Sequence, residues 1–289
     1  MRAFLNQEAL FRVCSEGEMM MANITDSINQ QLRLIESDED VRILYACESG
    51  SRAWGFPSKD SDYDVRFLYV RRPEAYLSIF EPRDVIERPI SDMLDMNGWD
   101  LKKALLLFRK SNPPLLEWLQ SSIRYEENYS VAEQIRSISP LSFSPKSCIY
   151  HYLNMARGNY RDYLQGSEVK VKKYLYVLRP LLACAWIEKY NEMPPLEFSI
   201  LVRELIPQGS ELQQAIAYLL SRKMSGEELS QEARLDIINT YIEKQIAHNE
   251  KLATKFENGT GMEDQRLNEL FLDALHEVWG GDSTLRMKQ

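Results

Sequence analysis

The residues best suited to chemistry are two aspartates, Asp62 and Asp64, which follow the pair Gly50-Ser51 after a polar spacer of ten residues. Side chains two positions apart in a strand point to one face, so both carboxylates should project together where the next strand begins. Two carboxylates about 4 Å apart repel by roughly 1 kcal/mol in water, and a divalent cation converts that repulsion into binding. Hard oxygen ligands suit magnesium. Asp62 and Asp64 are therefore predicted metal ligands and catalytic residues.

The Gly50-Ser51 pair predicts a phosphate-binding turn. Glycine lets backbone amides, together with the Ser51 hydroxyl, approach phosphate oxygens closely. Arg52 follows directly and could reach a phosphate, although an exposed loop arginine explains it equally well. Further along, Trp54 and Phe56 either stack on a base or anchor the loop. Together with the aspartates, these residues are the parts needed to hold a metal-bound nucleoside triphosphate.

Two other interpretations of the acidic pair compete with this one. A lone Asp-x-Asp is most often a solvated turn, but here an apolar strand precedes Gly50 and another follows Asp62. Residues 62–65 also fit the Asp-x-Asp-x-Val motif of phosphohydrolases. In that motif the apolar strand comes first, whereas residues 57–61 are polar. The order of elements therefore favours nucleotide binding.

The elements that must position these residues fall into two groups. Apolar patterns predict strands at 41–47 and 64–70 and strand-like pieces within 83–96, with a helix before them. Asp100 and Asn112 are predicted to cap the next two helices. The second half shows helical spacing almost throughout, at 144–163, 168–190, 196–206, 211–223, 230–256 and 262–278.

This order predicts an α+β protein: a small mixed sheet followed by an all-helical domain. The sheet would carry the catalytic residues within 23–125, and the helices of 126–289 would bind substrate. Residues 1–22 show no clear period and lead into three methionines, Met19 to Met21. They are predicted to be a disordered or non-native extension, with translation beginning at one of these methionines.

Composition narrows the class of protein. The chain has 289 residues, 44% hydrophobic and 27% charged, which is typical of a soluble globular protein. No run of about 18 apolar residues and no secretory signal is present, so we expect a cytoplasmic protein without a membrane partner. The four scattered cysteines predict buried free thiols. A net charge of -8 argues against a protein that coats nucleic acid but allows a local basic groove.

Several segments carry a resemblance to a known family. The Gly-Ser pair, short spacer and two-carboxylate strand resemble the signature of the DNA polymerase β-like nucleotidyltransferase superfamily. More closely, the chain is similar over residues 40–200 to bacterial and phage RNA-repair-pathway nucleotidyltransferases, in the segments ESGSRAWGF, DSDYDVRFLYV, NGWDLKKAL, NPPLLEWL and KKYLYVLRPLLA. The resemblance implies transfer of a nucleoside monophosphate from a nucleoside triphosphate to a hydroxyl, with release of pyrophosphate.

The resemblance also implies the cofactor and the acceptor. Two magnesium ions are expected, for which manganese can substitute, and they would activate the attacking hydroxyl and neutralise the triphosphate. An RNA 3′ end under repair is the implied acceptor. A protein or a small molecule remains an alternative acceptor. A non-catalytic nucleotide sensor is an alternative function, although the retention of all the acids argues against it.

The superfamily uses a third carboxylate, on a nearby strand, to complete the metal site. Asp95 is flanked by Leu94 and Met96, the form expected for an inward-facing acid on a strand. Asp92 lies three positions earlier and would point to the opposite face, and Asp100 has a role as a helix cap. Asp95 is the favoured catalytic and metal-binding residue, with the other two open as alternatives.

In the helical half, one set of basic residues lies within the segment of resemblance. Lys172, Tyr176 and Arg179 share a helix face at spacings of four and seven, and Lys173 is an equivalent candidate. Lys172, Lys173 and Arg179 are predicted to bind the triphosphate or an RNA end, with a merely solvated face as the alternative. Pro180 should kink or end the helix.

Overall fold

The computed structural model describes residues 24–90, 93–226, 231–257 and 262–280. Through the fifth strand, the elements in chain order are α1 (24–39), β1 (Val41–Glu48), α2 (Gly50–Ala53), β2 (Tyr63–Arg71), α3 (Pro73–Tyr76), β3 (Val85–Glu87), β4 (Leu94–Asp100), α4 (Leu101–Arg109), α5 (Pro113–Gln120) and β5 (Arg124–Glu127). After it come α6 (Val131–Ser142), α7 (Pro145–Tyr163), β6 (Glu168–Lys170), α8 (Lys173–Tyr190), α9 (Phe198–Leu205), α10 (Glu211–Met224), β7 (Gln231–Ala233), α11 (Asp236–Ala253) and α12 (Asp264–Trp279). The predicted extension at 1–22 lies outside the described residues.

The first half folds around a five-stranded sheet with the strand order β3-β4-β2-β1-β5. β2 and β4 run parallel, and the other three neighbouring pairs are antiparallel. The predicted α+β fold with a mixed sheet and a helical part is therefore confirmed. The parallel pair matters most for function, because it joins the strand after the acidic pair to the strand of Asp95.

The two faces of β2 have different neighbours, because side chains alternate along a strand. Val65 and Phe67 point into a core shared with α1. Leu68 and Val70 point the other way, into a core shared with α4 and α5. Asp64 has the same parity as this second pair, so it lies on the face that the helical half covers.

The two predicted helix caps are formed. The Asp100 carboxylate accepts a hydrogen bond from the Lys102 N–H at 2.8 Å, at the start of α4. The Asn112 side chain accepts one from the Leu115 N–H at 3.1 Å, and Pro113 occupies the first turn of α5. These local signals set the helix starts because each cap satisfies an amide that the helix leaves free.

The helical half differs from its prediction at two places. Residues 168–170 form a strand instead of the start of a helix, and they pair antiparallel with 231–233, which had been assigned to the following helix. A two-stranded ribbon therefore lies among the helices, held by long-range pairing that local periodicity does not contain. Pro180 does not end its helix: α8 continues through it to Tyr190.

The two halves share one hydrophobic core. A cluster around Leu44 and Leu68 of the sheet also contains Ile149 of α7, Cys184 of α8 and Leu270 of α12. The predicted boundary at residue 125 falls inside β5, which pairs with β1. Because the core crosses the boundary, the helices are held firmly against the face of the sheet that carries Asp64.

The cysteines agree with their prediction as far as the structure describes them. Cys47, Cys148 and Cys184 are buried free thiols, and Cys14 lies outside the described residues. Burial raises the pKa of the Cys47 thiol to about 12, so it stays protonated. Across the described part of the chain, no helix combines the length and apolarity that a bilayer crossing requires.

Candidate active site

The strand register brings two of the predicted acids together. Asp64 and Asp95 are Cα partners on the parallel strands β2 and β4, so their side chains leave the same face of the sheet. Asp100 instead lies at the end of β4, buried at 3% exposure, where it caps α4 and accepts a hydrogen bond from the Tyr76 hydroxyl. Asp92 is outside the described residues. Of the described candidates, Asp95 is the one placed beside the acidic pair.

Asp62 lies just before β2 and is exposed. Burial raises the pKa of the Asp64 carboxyl above its ordinary value, the Arg66 charge lowers it, and the charges of Asp95 and Asp62 raise it further. The Asp64 carboxylate is thus close enough to Asp95 and Asp62 to interact electrostatically with both. This clustering of like charge is what a bound cation would relieve.

The predicted turn approaches Asp64 directly. Gly50 has a φ of +60°, and a Cβ there would lie 1.9 Å from the Asp64 Oδ2 atom. The turn is tied to the strand because the Ser49 N–H donates to the Asp64 carbonyl at 2.8 Å. Ser51 is buried at the start of α2. Only glycine allows the backbone and the carboxylate to come this close.

Arg52 braces the spacer that leads to the acids. Its guanidinium donates to the carbonyl oxygens of Ser61 at 2.7 Å and Asp62 at 3.2 Å, and it lies over the Tyr63 ring at 3.6 Å. The side chain is half-buried. It therefore orders the loop that presents Asp62, and its charge acts on the carboxylates from that position.

Glu48 fixes the backbone of Asp64. It is 1% exposed; its Oε1 accepts from the Asp64 N–H at 2.9 Å, and its Oε2 accepts from the Tyr125 hydroxyl at 2.5 Å. Burial raises the pKa of Glu48 to about 7, against the opposing effect of both hydrogen bonds. The residue acts on the site by holding the strand that carries Asp64.

Arg66 is a site residue that the sequence reasoning missed. Its Nη2 atom lies 3.0 Å from the Asp64 Oδ1 and 2.8 Å from the Asp95 Oδ2. Its Nη1 donates to the backbone carbonyls of Asp95 and Val65. The available signal was its position two residues after Asp64, which places both side chains on one face of the strand.

The helical half reaches the site through aromatic contacts. The Trp54 ring meets the Tyr176 ring edge-on at 5.6 Å, and the Trp54 carbonyl accepts from the Phe198 N–H at 3.0 Å. Phe56 is buried against Phe198, so the loop is anchored between α8 and α9. Burial raises the pKa of Tyr176, and the charges of Asp64 and Asp62 raise it further, which places this ring beside the acids.

Arg179 is not in the position that its helical spacing predicted. It is 1% exposed, with its Nη1 2.9 Å from the Glu117 Oε1 and its guanidinium stacked 4.5 Å over the Trp54 ring. Its Nε donates to the Leu196 carbonyl at 3.4 Å. α8 is buried on nearly all sides, so this arginine is enclosed and supports the loop, away from any exposed cation face.

Two of the predicted lysines lie at the start of α8, and a third that was not predicted contacts the spacer before the acids. Lys172 is exposed at the start of α8, and Lys173 lies between the rings of Tyr163 and Tyr176 at 4.6 and 5.1 Å. Lys223 comes from the end of α10, far away in sequence. No local pattern identifies Lys223, because only the packing of α10 brings it here.

Lys223 contacts the spacer before the acids. Its Nζ donates to the Ser58 Oγ at 3.0 Å and the Ser61 Oγ at 3.4 Å. Burial lowers the pKa of Lys223, as do the charges of Lys172 and Arg52, while Asp60 and Asp62 oppose them. Among the described residues, no carboxylate lies within ion-pair distance of this Nζ. It is a half-buried cation held by neutral hydroxyls, a position suited to an anion.

Comparison with known proteins decides the family. Residues 24–273 match the RNA repair pathway DNA polymerase beta family. The chain belongs to this family. The resemblance carried by the sequence segments is thereby confirmed, and the match extends well beyond residues 40–200.

Two individual proteins are similar to this RNA repair pathway family member to different degrees. Uncharacterized protein YcgL of Bacillus subtilis (strain 168) is 53% identical over 252 residues, which covers 87% of this chain and 96% of that protein. A solved structure of a nucleotidyltransferase-like protein from Exiguobacterium sibiricum 255-15 is 15% identical, with 87% of this chain and 90% of that chain covered. Its TM-score is 0.27, too low for a comparison of the folds.

The donors present in this family member suit a hard cation. Within the described ranges, no group of three or more His, Cys, Asp or Glu side chains is arranged to hold a metal ion. The chemistry fits nevertheless: Asp62, Asp64 and Asp95 offer only carboxylate oxygens, and the absence of a Cβ at Gly50 lets the Asp64 Oδ2 lie against the turn. Arg66 takes the opposite side of the same carboxylate.

Proposed function

We propose that this protein transfers a nucleoside monophosphate from a nucleoside triphosphate to a hydroxyl acceptor and releases pyrophosphate. The observation that carries the proposal is the register that sets Asp95 beside Asp64, directly opposite the Gly50 turn. Membership of the DNA polymerase beta family supports the same reaction class. The start of the parallel strands β2 and β4, with carboxylates on one side and the glycine turn on the other, suits a metal-bound triphosphate.

Asp62, Asp64 and Asp95 would hold magnesium, two ions in this proposal, with manganese as a substitute. When bound, the metal would neutralise triphosphate charge and favour the ionised form of the acceptor hydroxyl. Glu48 keeps the Asp64 backbone in place, and Arg52 keeps the spacer that carries Asp62 in place. The protein thus supplies carboxylate oxygens from two half-buried side chains, Asp64 and Asp95, and one exposed side chain, Asp62.

The phosphate groups would lie between the turn and the lysines. Gly50 and Ser51 would face them from the sheet. Lys223 and Lys172 would face them from the helical half, where burial and the Lys172 charge lower the pKa of Lys223. An anion would relieve the repulsion between these two charges, so the position suits the triphosphate. Lys173 would add a further positive charge beside Tyr176.

In the proposed reaction, the acceptor oxygen forms a bond to the α-phosphorus while the bond to the bridging oxygen breaks. Pyrophosphate leaves with that oxygen, and the hydroxyl proton is released to solvent. Burial and the charges of Asp64 and Asp62 raise the pKa of Tyr176, so this side chain would face the reacting groups from the helical half.

An RNA 3′ end is the acceptor we propose. The protein carries a net charge of -8, so it has no overall excess of positive charge that would favour a long basic RNA-binding face. The lysines near the acids are few and confined, which suits the terminal nucleotides of an RNA better than an extended duplex. Protein and small-molecule acceptors serve as the alternatives in the test.

The test follows the fate of the label. The protein is incubated with each of the four nucleoside triphosphates, labelled at the α- or γ-phosphate, and with RNA carrying either a 3′ hydroxyl or a 3′ phosphate. We expect magnesium-dependent transfer of α-label, but not γ-label, to the 3′ hydroxyl RNA. Asp64→Asn should abolish the transfer.

Other patterns of label would exclude the proposal. Transfer of γ-label would indicate a kinase, and release of inorganic phosphate without transfer would indicate a phosphohydrolase. Transfer of α-label to protein or to a small molecule, with RNA unlabelled, would retain the reaction but replace the acceptor.

A further inference from the structure

Arg66 occupies a position that the proposed function alone does not explain. The single Nη2 atom of its guanidinium contacts both the Asp64 Oδ1, at 3.0 Å, and the Asp95 Oδ2, at 2.8 Å. Its Nη1 donates to the Asp95 carbonyl at 2.9 Å. The side chain is 17% exposed, so these contacts are largely shielded from water. A positive charge therefore already bridges two of the three acids.

The Asp64 carboxylate is divided between two neighbours. Its Oδ1 is bound by Arg66, whereas its Oδ2 faces Gly50, where a Cβ would lie only 1.9 Å away. The Oδ2 side of the carboxylate is thus packed against the turn, and the side toward Asp95 is held by Arg66. A divalent ion that bound both Asp64 and Asp95 would compete with the Arg66 charge for these carboxylates.

The chemistry of the guanidinium makes this competition permanent. Arginine remains protonated at any pH that a folded protein survives, so Arg66 cannot leave by losing its charge. Without it, two half-buried carboxylates would repel each other. Its long side chain is attached only at β2, and rotation of that side chain would free both oxygens.

We propose that Arg66 is a built-in counter-cation of the Asp64–Asp95 pair, and that it competes with a divalent metal ion for these two carboxylates. Arg66 thereby lowers the affinity of this half of the site for free metal. The inference rests on the proposed function only in taking a divalent ion as the incoming ligand. The Asp62 side of the site, which Arg66 does not contact, should bind metal independently of it.

The test measures metal binding without nucleotide or turnover. Wild type, Arg66→Gln, Arg66→Lys and the control Arg203→Gln are titrated with Mn²⁺, and free Mn²⁺ is followed by electron paramagnetic resonance. Arg203 is an exposed arginine paired with Glu204, so its variant reproduces the loss of one charge. Arg66→Gln should bind Mn²⁺ about ten- to a hundredfold more tightly, the effect of removing a competing charge-assisted hydrogen bond. Arg203→Gln should match wild type.

Arg66→Lys keeps the charge but loses the planar fork, so its affinity should lie between those of wild type and Arg66→Gln. It also carries the test if Arg66→Gln does not fold, as judged by circular dichroism. This inference alone would be overturned if both Arg66 variants bound Mn²⁺ no more tightly than wild type while wild type retained magnesium-dependent transfer. Absence of Mn²⁺ binding in every protein, even with nucleoside triphosphate added, would overturn the proposed function with it.

Discussion

Asp64 and Asp95 are direct neighbours across the parallel strands β2 and β4, and their carboxylates share the Nη2 atom of Arg66. Parallel strands place partnered side chains on one face at a constant spacing. A one-residue slip of β4 would turn Asp95 to the opposite face and bring Leu94 or Met96 beside Asp64. The acid site therefore depends on this register.

Asp95→Asn and Asp100→Asn should separate catalysis from stability. We expect Asp95→Asn to abolish nucleotide transfer with little loss of stability, because the carboxylate is only half-buried. Asp100→Asn should retain transfer and unfold more easily by about 1 kcal/mol, since hydrogen bonds from Tyr76 and Lys102 to a carboxylate become weaker bonds to a neutral amide. Labelled-nucleotide transfer and urea unfolding check both. The reverse pattern would make Asp100 the third acid.

Gly50→Ala and Gly55→Ala form a matched pair, because both glycines have a positive φ. At Gly50 the new Cβ would collide with the Asp64 Oδ2, whereas at Gly55 nothing lies within 4 Å. Both variants should lose about 1–2 kcal/mol from backbone strain, but only Gly50→Ala should lose transfer activity and Mn²⁺ binding. Equal activity in the two variants would mean that the approach of the turn to Asp64 is not required.

Lys223→Gln tests whether the helical half contacts the triphosphate. We expect its Michaelis constant for nucleoside triphosphate to rise by about one to two decades, the effect of losing a hydrogen bond to a charged group. Lys251→Gln removes an exposed lysine of α11 and should behave as wild type. Steady-state transfer rates at several nucleotide concentrations give the comparison. A rise in the constant for RNA alone would assign Lys223 to the acceptor.

Glu48→Gln should change how stability depends on pH. The pKa of Glu48 is raised from 4.5 to about 7 by burial, so the folded state binds a proton that the unfolded state releases at lower pH. This contribution to stability is fully present below pH 4.5 and is lost as the pH rises through 7. Relative to Glu48→Gln, wild type should thus lose stability across that window. Urea unfolding at several pH values measures it, and parallel curves would contradict the shift.

Local spacing alone identified the parts of the site that are close in sequence. The glycine turn, the spacer and the pair Asp62 and Asp64 lie within one stretch of chain, where the alternation of a strand determines which side chains project together. The caps at Asp100 and Asn112 are local for the same reason, since each binds an amide only two or three residues away.

The remaining site residues depended on tertiary structure. The sequence left three candidates for the third acid, because the register between β2 and β4 joins residues 31 positions apart. The sequence placed Arg179 on a basic face, but α8 is enclosed by its neighbours, and that arginine forms an ion pair with Glu117. Lys223 reaches Ser58 only through the packing of α10. Strand register and helix packing arise from contacts distant in sequence, which no local periodicity records.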